Sequence, residues 1–296
     1  MEGSPRRPDD EPEGSPAPLS VEDHSRDAAG LEYVYPVVSR RAGGVSVGVN
    51  LNPNNACNWA CVYCQVEGLV RGAAPPVDLD ALERELDGFV TLASSPEWMA
   101  RNAPAEARRL TDVAISGNGE PTTCAELAEV VRRIAAVKAR HALELPTVLI
   151  TNGSRAHLPE VQGALRVMAQ GEAEVWFKLD RVTAAERRRV NQVEGGAGRV
   201  ADQLAAAARC CPTRVQTCLF TIDGEPPSGE EQAAYLAFLE DQVRRGTPLR
   251  GVTLYGLARP SMQPAAARLG KVAEDWMEDL AARLRAATGL EVSVHP

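Results

Sequence analysis

The sequence predicts an α/β fold, a partial (β/α)6 barrel of the TIM type. Three observations carry that prediction. Six short apolar strands alternate with six amphipathic helices, and each parallel strand needs a covering helix on its outer face. The first strand runs straight into a cysteine-bearing loop, and parallel barrels build their sites at that strand end. No G-x-G-x-x-G turn follows the first strand, which disfavours the rival doubly wound dinucleotide fold.

The elements follow in order. VSVGVNLN, residues 45–52, alternates and is β-branched, as a strand requires, and leads into ACNWACVYCQ, residues 56–65. Leu79, Leu82, Leu86, Phe89 and Val90 recur at helical spacing over 78–92. DVAISG (112–117) is the second strand, and Leu127, Val130, Val131, Ile134 and Val137 mark a helix over 126–140. TVLITNG (147–153) precedes a helix marked by Val161, Leu165 and Met168, and EVWFKLD (174–180) precedes one near 199–209. RVQTCLFTI (214–222) and GVTLYGL (251–257) lead to helices over 230–244 and 271–287, and LEVSVH closes the chain. Period two sends Trp176, Lys178 and Asp180 of the fourth strand to one face and Val175, Phe177 and Leu179 to the other.

Composition narrows the function. The net charge is -8, but residues 1–30 hold eight carboxylates and three arginines, so the remainder carries 32 acids against 29 bases. Such a balance argues against a broad nucleic-acid surface, and no DNA partner is expected. Residues 1–30 are rich in Pro, Gly, Ser and acids and read as a disordered tail, with 31–296 as one barrel domain. No apolar signal core and no eighteen-residue apolar run is present, so the expected location is the cytoplasm, without membrane contact. Seven cysteines in a long, unsignalled chain read as reduced thiols for metal or catalysis.

Cys57, Cys61 and Cys64 form C-x3-C-x2-C with no fourth cysteine nearby. Zinc would require a fourth Cys or His to close its tetrahedron, and no histidine lies between His24 and His141. Three thiolates can hold three irons of a 4Fe-4S cluster and leave the fourth iron open. A non-enzymatic iron-sulfur or zinc protein with a structural or sensing role is the competing class.

That motif, on the first loop of a partial barrel, resembles the radical S-adenosylmethionine (radical SAM) superfamily over about Val45 to Arg259. The resemblance implies one 4Fe-4S cluster on Cys57, Cys61 and Cys64, with S-adenosylmethionine chelating the open iron. It implies that one electron, supplied by a flavodoxin- or ferredoxin-like donor, cleaves S-adenosylmethionine to methionine and a 5'-deoxyadenosyl radical that abstracts hydrogen from substrate. It places Tyr63 near the adenine, where plain loop packing is the alternative. SGNGEP, residues 116–121, resembles the family's Gly-Gly-Glu region, so Gly117, Gly119 and Glu120 are expected to receive the methionine amino group. The usual adjacent glycines are split here by Asn118.

Asn152 stands in the TNG ending of the third strand, and Asn191 where relatives carry an asparagine after the fourth. Lys178, one of three lysines, and Asp180 are expected to contact cofactor or substrate, with an internal ion pair as the alternative. GVTLYGLARPS ends in Arg-Pro, as in the iron-sulfur oxidoreductases related to the tRNA wyosine-forming enzymes. There the backbone at Tyr255 and Gly256 would pass the adenine, and Arg259 would clamp an anion or face solvent. A tRNA base, a peptide or a small molecule are the substrates in view. Lys178, Cys124 and Arg259 are the catalytic candidates. Cys210 and Cys211 close a helix, Cys218 is expected in the core, and Arg40 and Arg41 reach either solvent or an anionic substrate.

Overall fold

A computed structural model of the chain describes residue 19, residues 30–39 and residues 43–296. The expected tail therefore lies outside the described residues except for Leu19 and Gly30, as do Arg40 and Arg41. Leu19 packs against the core and donates its N–H to the Asn102 carbonyl at 2.8 Å.

Eight strands make one curled sheet in which spatial order follows chain order. They are β1 (Val34–Ser39), β2 (Gly44–Val49), β3 (Leu110–Ile115), β4 (Thr147–Thr151), β5 (Ala173–Lys178), β6 (Thr213–Leu219), β7 (Leu249–Gly256) and β8 (Val292–His295). β1 and β2 are an antiparallel hairpin, and each later strand pairs parallel with the one before it. Helical crossovers make that possible: α1 (Leu79–Ala93), α2 (Pro96–Asn102), α3 (Leu127–Arg140), α4 (Pro159–Met168), α5 (Ala184–Asn191), α6 (Ala197–Cys210), α7 (Gly229–Arg244) and α8 (Glu274–Thr288).

The predicted elements are all present, with two further helices, α2 and α5, and three differences among the strands. β1 is an addition, because VYPVVS carries a proline; it is an edge strand, where a missing N–H is tolerated. LEVSVH pairs with β7 and so adds a strand at the other edge. RVQTCLFTI is not one strand: β6 stops at Leu219, and Thr221–Ile222 pairs antiparallel with Leu269–Gly270 outside the main sheet.

Alternation then separates two environments. Val45, Val47 and Val49 of β2, Val113 and Ile115 of β3, Val175 and Phe177 of β5, Val215 of β6 and Val252 and Leu254 of β7 are fully buried among the helices. Leu82, Leu86, Ile134, Leu165, Leu204, Leu239 and Leu284 meet them from the helix side. The intervening residues, Ser46, Asp112, Ala114, Ile150, Trp176, Lys178, Gln216, Cys218 and Tyr255, line the hollow of the curl. Asp78 caps α1 by accepting from the N–H groups of Asp80 and Ala81 at 3.1 and 2.9 Å. Among the described residues no helix is long and apolar enough to cross a membrane.

Candidate functional site

The hollow is a cavity of about 290 Å³, walled at one end by the loop after β2. Cys57, Cys61 and Cys64 all line it, none in a disulfide, together with Tyr63, Trp59, Gly117, Gly119, Glu120, Asn152, Trp176, Lys178, Tyr255 and Arg259. The sequence-predicted residues therefore converge, with three exceptions. Asp180 and Asn191 lie behind the loop, buried, and Cys124 sits in the hydrophobic core, where it donates to a Glu126 carboxylate oxygen at 3.4 Å. Burial pushes the Cys124 thiol up to about 12, away from the thiolate a nucleophile needs. Cys218 is buried, as expected of a small core residue, although it also touches the cavity, and Cys210 and Cys211, at the end of α6, are buried too.

The loop is held from outside by two segments. The end of α5 docks on it: Val62 N–H donates to the Val190 carbonyl at 2.8 Å, and Ala60 N–H to that of Asn191 at 3.4 Å. The segment after β7 clamps the other side. Ser261 Oγ donates to the carbonyls of Val62 and Cys64 at 2.8 and 3.2 Å, Met262 N–H donates to Cys64 at 2.9 Å, and Gln263 Nε2 bonds Val66 O at 2.8 Å. Sequence reading missed this clamp, because nothing in ARPSMQ marks a partner some 200 residues away.

Asparagines fasten the loop to the neighbouring strand ends. Asn52 Nδ2 donates to Ala56 O at 2.9 Å, Asn152 Nδ2 to Asn58 Oδ1 at 2.8 Å, and Asn58 Nδ2 to Ser154 Oγ at 2.7 Å. The two glycines of SGNGEP serve the same packing. Gly117 has φ +149, and a Cβ there would meet Asn50 Oδ1 at 2.3 Å; at Gly119 it would meet Ala56 O at 1.9 Å. Glu120 is buried and accepts four hydrogen bonds: Thr122 N and Oγ1 at 3.1 and 2.6 Å, Thr151 Oγ1 at 2.5 Å and Asn152 N at 2.7 Å. It ties β4 to the SGNGEP turn, and three of those four donors fall on Oε1, so Oε2 keeps acceptor capacity.

Behind the cysteines lies a polar cluster. Asp180 Oδ2 accepts from Tyr63 OH at 2.5 Å and Asn191 Nδ2 at 2.9 Å, and Oδ1 accepts from Cys218 N–H at 3.0 Å. Asn191 Nδ2 also reaches Cys61 Sγ at 3.2 Å. Burial, then the Asp180 charge, pushes the Tyr63 phenol up, so it stays protonated and donates. Lys178 Nζ donates to Tyr255 OH at 2.6 Å and stands 5.0 and 5.4 Å from the ring centres of Tyr63 and Tyr255. Burial alone would lower the Lys178 pKa; the Tyr255 oxygen and the Asp180 carboxylate outweigh it, so the ammonium is held charged.

Burial pushes the Cys57 thiol up to about 12 and raises Cys61 further, so both are poor thiolates until a cation shares the site. Trp59 N–H points at Cys57 Sγ, 3.4 Å away. Both sulfurs thus already carry N–H donors, the kind of contact that sulfur ligands of iron-sulfur clusters carry. Among the described residues, no three His, Cys, Asp or Glu side chains lie together as ligands of a single metal ion. Three thiols lining one cavity are a donor set that suits three irons of a cubane.

No family model matches the chain. A GTPase Obg from Brachyspira hyodysenteriae is 26% identical over 135 residues, 45% of this chain and 17% of that protein. Among solved structures, SuiB of Streptococcus suis bound to S-adenosylmethionine is similar with a TM-score of 0.51 and 11% identity, over 86% of this chain and 47% of SuiB. A cysteine-to-serine mutant of spore photoproduct lyase gives a TM-score of 0.58 at 11% identity, over 89% of this chain and 78% of that one. The chain therefore spans about half the length of SuiB and a smaller share still of the curated relative. The sheet order, the curled hollow and these two likenesses give the chain a partial α/β barrel of the kind that SuiB and spore photoproduct lyase have.

Proposed function

We propose that the chain is a radical SAM enzyme, holding one 4Fe-4S cluster on Cys57, Cys61 and Cys64 and binding S-adenosylmethionine in the adjoining cavity. The observation that carries this reading is the position of all three thiols on one wall of that cavity, at the C-terminal end of the first parallel strand. When bound, such a cluster passes one electron to S-adenosylmethionine and so generates the radical that abstracts hydrogen from substrate.

The protein's own part is to place and shield. Three thiolates and no fourth ligand leave room for the amino and carboxylate groups of the cofactor. Lys178 offers a charge to the methionine carboxylate, and Glu120 Oε2 and the SGNGEP backbone offer acceptors to the amino group. Tyr63 and Tyr255 supply flat faces for the adenine, and Trp59 and Trp176 narrow the hollow against water. Arg259, which lines the cavity, suits an anionic group on cofactor or substrate.

A flavodoxin- or ferredoxin-like protein is the proposed electron donor. The three substrate classes in view are a small molecule, a peptide and a tRNA base. A tRNA mobility shift that weakens steeply with salt selects the last. Anaerobic reconstitution with iron and sulfide, followed by dithionite and S-adenosylmethionine, tests the reading. The wild type should release 5'-deoxyadenosine and Cys57→Ala should not; a colourless, zinc-loaded wild type without turnover would reject it.

A further inference from the structure

We propose that Asn191 sets the reduction potential of the cluster by donating a side-chain hydrogen bond to the Cys61 sulfur, and that Asp180 is the positioning residue that fixes its direction. This rests on the reading just given, and it assigns Asn191 and Asp180 a role other than contact with the cofactor.

Asn191 is fully buried at the end of α5, and its Nδ2 lies 3.2 Å from Cys61 Sγ and 2.9 Å from Asp180 Oδ2. An amide's oxygen and nitrogen ends have the same shape, so the surrounding network decides which end faces the sulfur. Here the carboxylate decides it: turned over, the amide would set its oxygen against Asp180 Oδ2, an acceptor facing an acceptor. Asp180 is itself immobilised by Tyr63 OH on Oδ2 and Cys218 N–H on Oδ1. The backbone of Val190 and Asn191 binds the loop on both sides of Cys61, at Ala60 and Val62, so the amide cannot drift from its target.

The remaining end of the side chain shows that this orientation has a cost. Asn191 Oδ1 is buried and, among the described residues, has no hydrogen-bond partner. Buried acceptors are nearly always satisfied, so a residue kept for packing alone would be apolar here. The orphan oxygen is what remains when one amide must present N–H to both a sulfur and a carboxylate. The consequence concerns electron transfer. Asp180 adds negative charge beside the thiolates, which disfavours adding an electron, and the Lys178 and Arg187 cations offset part of it. A hydrogen bond to a ligating sulfur withdraws electron density and favours the reduced cluster.

The test is a potentiometric titration, followed by electron paramagnetic resonance, of anaerobically reconstituted wild type, Asn191→Ala and Asn191→Leu, with iron and sulfide measured on each. The expected result is wild-type iron and sulfide content with a more negative midpoint in both variants. At the wild-type midpoint, the reduced-to-oxidised ratio should fall roughly tenfold, which is about 59 mV for a one-electron couple. An unmoved midpoint in a variant that carries the cluster overturns the inference. So does loss of the cluster from both variants, since Asn191 would then serve assembly and not potential. Failure of the wild type itself to take up a cluster would reject the parent reading, a result distinct from either.

Discussion

Lys178 shows what a single residue says before and after folding. In the sequence it is a rare lysine on the inward face of a strand; in the structure its ammonium sits between two tyrosine rings and bonds one hydroxyl, on the cavity wall. Alternation alone predicts the inward direction of Trp176 and Lys178, and the cavity lining agrees. Alternation also puts Asp180 on that face, but β5 ends at Lys178, period two stops with it, and the carboxylate turns behind the loop. A charge-assisted contact of Lys178 with the cofactor carboxylate contributes about 1.5–3 kcal/mol. Lys178→Met should therefore weaken S-adenosylmethionine binding roughly 10- to 150-fold by equilibrium titration, with cluster content unchanged. Unchanged affinity would assign the lysine to the tyrosine pair alone.

At the scale of elements, helices and central strands are legible because their periods are local, whereas the clamp on the cysteine loop is not. Ser261 and Gln263 are ordinary polar residues in the sequence, and their partners at Val62, Cys64 and Val66 become neighbours only when the curled sheet brings the segments after β2 and β7 together. Removing the clamp should act locally. In Ser261→Ala, the reconstituted cluster should bleach faster in the presence of a chelator, while the thermal midpoint moves by only a few degrees. A bleaching rate equal to wild type would remove the clamp from the account.

Between α1 and α3 runs an exposed ion-pair ladder, in which Arg133 reaches Asp80, Glu83 and Glu129, and Arg140 reaches Glu83 and Asp87. Hydrogen bonds from Arg140, with Arg133 and His141 beside it, hold the Glu83 and Asp87 carboxyls below their ordinary values of 4.5 and 3.8. Their stabilisation is thus present above those values and is lost as pH falls through the depressed ones. Arg140→Ala should be slightly less stable than wild type at neutral pH, by urea titration, and the gap should close on acidification and with added salt. A gap that persists at about pH 2 would contradict this.

For the molecule as a whole, the strand–helix alternation is enough to foresee a partial barrel. The two edge strands need three-dimensional information: one contains a proline, and the other is four residues long at the end of the chain. The cysteine spacing points to Cys57, Cys61 and Cys64 as the proposed ligands, and Tyr63, Glu120 and Tyr255 line the same cavity as those three. The network behind Cys61 is visible in the sequence only as separate residues, because its members lie far apart along the chain. Three cysteines on three irons would leave the fourth iron open to S-adenosylmethionine. The electron paramagnetic resonance spectrum of the dithionite-reduced, reconstituted protein, before and after S-adenosylmethionine is added, tests this. A cluster signal whose shape changes with the cofactor is expected in wild type, and no such cluster in Cys61→Ala. A signal indifferent to S-adenosylmethionine, or one that survives loss of Cys61, would contradict it.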